Sequence, residues 1–191
     1  MLKLTVIVLI ILVFGTSCAT TAARNLDVAT RASADASFAF DIATLNFSTA
    51  VSDFRSAVTA FELAVRNFAA ANNNLDVISA YDAAFDAFIN AADASETAAQ
   101  AFNIASQAFD DSIRTGVDFS RAQHDFLLSP DPWGTNMSAR RTAISAHNIS
   151  VNIHNNALRR FESTNYFFMN TMESFSENMN TFSYTRQVHN L

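Results

Sequence analysis

FDIATLNFSTAVSDFRSAVTAFELAVRNF, residues 40–68, carries a phenylalanine at every seventh position: Phe40, Phe47, Phe54, Phe61 and Phe68. Seven residues are two turns of a slightly underwound α-helix, so the five rings fall on one side of it. Val51, Val58 and Val65 sit four residues after one ring and three before the next. That places Phe at d and β-branched Val at a of a heptad seam.

The same comb recurs along the chain. Tyr81, Phe88, Phe102 and Phe109 form a second comb with Ser95 at the missing tooth; Phe119 and Phe126 form a short third piece, and Phe161, Phe168, Phe175 and Phe182 a fourth. Fourteen of the 18 phenylalanines lie on these combs, so the excess is positional. In the last segment the predicted a positions are Met137, Ile144, Val151, Leu158, Asn165, Met172 and Met179.

Breaks in phase locate the turns. Asn72-Asn73-Asn74 lies where the spacing slips between Phe68 and Tyr81, and asparagine both tolerates the left-handed conformation and caps the next helix. Ser129 to Asn136 holds both prolines and reads as a loop. The irregular step from Phe109 to Phe119 centres on Gly116 and suggests a kink within a continuous helix. The reading is an elongated antiparallel three-helix bundle, all-α, with a Phe-rich heptad seam and helices at about 24–72, 75–128 and 137–188. Each helix would be about 75 Å long at ~1.5 Å per residue.

Composition agrees. Of 191 residues half are apolar, and only three are glycine and two proline, too few turn formers for a many-stranded β fold. Phe38, Ile42 and Leu45 make a second apolar stripe on the first helix, and Tyr166 and Phe167 flank the seam of the last. These either widen the internal core or face a second copy.

The N-terminus reads as a targeting segment covering residues 1–18, followed by a short tether at 19–25 and the bundle at 26–191. Lys3 precedes a run from Leu4 to Phe14 that is apolar except for Thr5. As a helix it spans about 16 Å, well short of the ~30 Å hydrocarbon core, which favours an export signal over a membrane anchor. Gly15-Thr16-Ser17-Cys18 resembles the signal of bacterial lipoproteins, in which small residues precede a cysteine that is lipidated and becomes the mature N-terminus. Gly15 stands where that pattern usually has an aliphatic residue, so the match is to its relaxed form. The resemblance implies a lipid on Cys18, the chain's single cysteine, and tethering to a bacterial envelope. The other reading is ordinary cleavage after Ser17 or Ala19, giving a secreted protein.

Beyond Cys18 the chain carries 11 arginines, no lysine and 18 acids, a net charge of −7. No basic stripe exists to neutralise phosphates, so nucleic acid is not an expected partner. Residues 19–136 hold six Arg and 15 acids, and residues 137–191 five Arg and three Glu. The last third is therefore expected to dock on the rest, with Asp118 and Asp125 relieving Arg140 and Arg141.

Candidates for chemistry are few. His147 and His154 continue the last comb backwards at d positions, together with Arg140. Seven residues put them about 10.5 Å apart along the axis, too far to hold one metal ion. They read as a polar stretch of seam or as a pH-sensitive one. No glycine-rich phosphate cradle occurs, and Ser129 with His124 and Asp125 makes no convincing nucleophile set. Neither enzyme activity nor a cofactor is expected. Trp133, between Pro132 and Gly134, either caps the bundle or contacts a partner or membrane interface.

The expected function is thus structural or adaptor-like at the cell envelope. A helical carrier of an apolar ligand between Phe-rich helices is the alternative, although strict combs describe a closed seam. A secreted self-assembling coiled coil is the third reading.

Overall fold

The computed structural model describes residues 2–72, 74–129 and 137–191. Three helices hold nearly all of them: α1 (Leu2–Ala70), α2 (Asn74–Leu127) and α3 (Met137–Val188). No strand occurs among the described residues. The chain is an all-α three-helix bundle with a Phe-rich heptad seam.

The ends of α2 and α3 fall within a residue of the positions predicted from the combs. α1 differs, because it runs back without a break through residues 19–25, where a tether was expected. Ala-rich sequence favours helix there. Ala22 and Ala23 also pack against a buried cluster of Leu26, Phe119, Phe126 and Ala143, so this turn has a core to cover. α3 ends with Asn190 in the left-handed region, at φ 55°. The Leu191 N–H then reaches back to the Arg186 carbonyl at 3.2 Å, the usual way a left-handed residue closes a helix.

The chain divides into two compact units: Met1–Asp41 with Gln107–Ala157, and Ile42–Ser106 with Leu158–Leu191. In the second unit α1 and α3 run parallel and α2 antiparallel to both, as the ring contacts show. Phe68 meets Tyr81 and Phe182, and seven residues back Phe61 meets Phe88 and Phe175. Two heptads further, Phe47 meets Phe102 and Phe161. Each of these layers is a triad of rings, one from each helix. Within it the α2 and α3 rings lie nearly parallel, at 15–17°. The α1 ring meets them at 48–66°. Tilted and edge-on contacts of this kind add roughly 0.5–1.5 kcal/mol per pair beyond area burial. Ser95 is the missing α2 tooth opposite Phe54, and its hydroxyl lies 3.3 Å from the Met172 sulfur.

Burial is unequal among the helices. On α1 the comb rings Phe40 to Phe68 are fully buried, as are Thr44 and Val65, and Val51 and Val58 are buried. On α2 and α3 the most buried positions are small, Phe119 and Phe126 on α2 excepted. Val77, Ala84, Ala91, Ala98, Ala105, Ser112, Phe119 and Phe126 form one unbroken seven-residue track on α2. On α3 the buried track is Ala143, Ser150, Ala157, Thr164, Thr171 and Thr185. The predicted a positions of α3 lie one residue off this track, and Val151, Met172 and Met179 are 39%, 37% and 41% exposed. Small side chains let α3 approach closely while the α1 rings fill the centre. Phe88, Phe102, Phe109, Phe161, Phe168 and Phe182 are half-buried beside those rings, and Phe175 is buried.

The buried α2 track keeps its seven-residue spacing across Gly116, where the phenylalanine combs slip. α2 is one helix through that residue. The phenylalanines shift phase because Phe119 and Phe126 sit on the small-residue track, three residues beyond the line of Tyr81 to Phe109. Phe38, Ile42 and Leu45 remain 53%, 58% and 47% exposed, so this stripe does not widen the internal core.

Candidate functional site

In the first unit the ring triads change character. Phe40, Phe109 and the imidazole of His154 form a layer with centroids 5.4–5.6 Å apart. Seven residues further along each comb stand Ser33 on α1, Gly116 on α2 and His147 on α3. All three line one cavity of about 310 Å³. Two of its three ring positions have lost their ring.

The floor of this cavity is a hydroxyl network from all three helices. Ser37 and Ser150 both donate to the Ser33 carbonyl at 2.9 Å, and their hydroxyls lie 2.8 Å apart. Ser37 is also 3.4 Å from the Ser112 hydroxyl. Ser112 in turn lies 2.8 Å from His154 Nδ1, in a bond whose direction follows the imidazole tautomer. Ser33, Ser37, Ser112 and Ser150 are all buried. The chain can place hydroxyls here because Ser side chains in a helix satisfy themselves on the carbonyl four residues back, as Ser37 does.

His147 completes the site. Its ring lies flat on Phe119, with centroids 3.8 Å apart and planes 10° apart, while Nδ1 is buried without a hydrogen-bond partner. Burial lowers the pKa of both His147 and His154 below the ordinary 6.5, because desolvation penalises the charged imidazolium. Ile113, Val117 and Val151 supply apolar wall. The two histidines are the only titratable groups in the lining.

Gly116 is the clearest sign of space. A Cβ added there would meet nothing within 4 Å, although glycine inside a helix costs about 1 kcal/mol relative to alanine. A second recess of about 370 Å³ lies beside Leu26, Phe126 and Ala143. Its charged groups, Asp27 and Arg31, pair with each other at 2.9 Å.

Ser112 and His154 have the spacing of a nucleophile and its base. Both sit mid-helix, where backbone N–H groups are committed to the helix, so no donor pair faces a developing oxyanion. No cluster of three or more His, Cys, Asp or Glu that could hold a metal occurs among the described residues.

The remaining sequence candidates sit as follows. Trp133 and the side chain of Cys18 lie outside the described residues. Asp118, expected to face Arg140 and Arg141, pairs with Arg121 on its own helix at 3.3 Å. Among the described residues no helix is long and apolar enough to cross a membrane. Sequence reasoning found His147 and His154 but not the hydroxyls around them; the readable signal was that the three combs, extended by sevens, reach Ser33, Gly116 and His147, of which only the last carries a ring. Compared with known proteins, the chain matches no family model, no curated protein sequence and no solved structure.

Proposed function

We propose that the protein is an exported, lipid-anchored helical bundle with a structural or adaptor role at a bacterial cell envelope, and that it is not an enzyme. The observation that carries this is the N-terminal order: an apolar run to Phe14, then Gly15-Thr16-Ser17, then the single cysteine Cys18. Processing at that cysteine would leave a lipid-bearing N-terminus on α1, and bacterial lipoproteins carry several acyl chains, enough for stable anchoring. The ring ladder supports a structural role, because a buried Phe contributes about 1.5–3 kcal/mol and the bundle therefore needs neither metal nor disulfide. Fractionation of a bacterial host expressing the full chain tests the anchor. The native protein is expected with the membranes and Cys18→Ala in the soluble fraction. Equal partition of the two contradicts the proposal.

A second reading is self-association, supported by the half-exposed Phe38, Ile42 and Leu45 on α1 and by Tyr166 and Phe167 on α3, 65% and 50% exposed. Sedimentation of the full chain decides it, with a dimer or larger species expected and a monomer sufficient to discard it.

A further inference from the structure

The cavity at Ser33, Gly116 and His147 has the position, height and chemistry of a vacant rung in a ladder of aromatic rings. One heptad away, the equivalent positions hold Phe40, Phe109 and His154 in mutual ring contact. At the vacant rung only the imidazole remains, and about 310 Å³ lies open beside it. We propose that this cavity binds a small neutral aromatic molecule carrying one hydrogen-bonding O–H or N–H, of the size of phenol or indole, whose ring replaces the missing rung.

Three observations define the guest. The volume is at the small end of ligand sites, so a one- or two-ring molecule fits and a lipid chain does not. The lining contains no carboxylate, lysine or arginine, and an ion would enter without a countercharge, which selects a neutral guest. Apolar wall from Val117 and Val151 suits a ring, while the serine hydroxyls and imidazoles of the lining offer partners to one polar group.

Gly116 separates this site from a merely hydrated gap. Its Cβ direction is open, so Gly116→Phe puts the missing α2 tooth back and Gly116→Leu fills the same space with a more flexible side chain. The experiment is titration of the full chain with phenol and with indole, read by calorimetry and by the imidazole resonances of His147 and His154. Cyclohexanol, of similar size and polarity but without a π-face, is the control. Saturable binding of phenol or indole is expected, at least tenfold weaker for cyclohexanol and lost by at least tenfold in both Gly116→Phe and Gly116→Leu. Should Gly116→Phe fail to fold, Gly116→Leu carries the comparison. Absence of saturable binding, cyclohexanol binding as tightly as phenol, or undiminished binding in a folded Gly116 variant overturns the proposal.

Discussion

The imidazole of His147 lies flat on the ring of Phe119, 3.8 Å between centroids, with Nδ1 shut away from any hydrogen-bond partner. Together with His154 it makes this part of the core sensitive to acid. Burial lowers both folded-state pKa values below the unfolded 6.5, so over that interval the unfolded chain binds more protons than the folded one. Stability is therefore full above about pH 6.5 and falls as pH drops from there through the lowered folded values. Attraction of an imidazolium to the Phe119 face opposes this, but desolvation is the effect that sets the direction of both shifts. Thermal melts should show a lower midpoint at pH 5 than at pH 8, with the difference reduced in His147→Phe. A flat midpoint across that range contradicts the account.

Ring position should matter more than ring count. Phe61 is fully buried and touches Phe88, Phe175 and Phe182. Phe61→Ala should cost about 3–5 kcal/mol in urea unfolding, the range for emptying a core aromatic site. Phe38, half exposed on the same helix, should change stability by no more than about 0.5 kcal/mol as Phe38→Ala.

The hydroxyl network is integral to the first unit. Ser150→Ala removes one of the two hydroxyl donors to the Ser33 carbonyl and a neighbour of Ser37. Losing a hydrogen bond whose acceptor keeps another donor should cost about 0.5–1.5 kcal/mol. Chemical denaturation at pH 8, where the histidines are neutral, measures this loss without the pH effect.

Gly116→Ala should stabilise the protein by about 0.5–1 kcal/mol. The new methyl group meets nothing within 4 Å, and the helix loses its most permissive residue. A decrease in the urea midpoint would show that the space at Gly116 is not open.

Much of this architecture is legible in spacing alone. A ring every seventh residue marks a helix, and in the sequence the phase slip at Asn72-Asn73-Asn74 and the proline-bearing stretch from Ser129 to Asn136 fall between α1, α2 and α3; Pro130 to Asn136 lie outside the described residues. The seam of α3 was harder to read, because Met172 and Val151 resemble core residues more than Thr171 and Ser150 do. Size decides otherwise: with the α1 rings occupying the centre, the closest positions on α3 must be small. The start of α1 is also hidden in the sequence, since Ala22 and Ala23 look like tether until Phe119 and Phe126 are brought against them. The cavity is harder still, because Ser33, Gly116 and His147 are distant in sequence. Each is unremarkable alone and forms a site only when three combs are set in register.

The account as a whole turns on the N-terminus, where the proposed lipid on Cys18 would join a ring-packed bundle to an envelope. Mass spectrometry of the mature N-terminal peptide from a bacterial host tests it most directly. The prediction is a chain beginning at Cys18 with acyl groups on that residue. A chain beginning at an unmodified Cys18, at Ala19 or at Thr20, or one that retains residues 1–17, would contradict it.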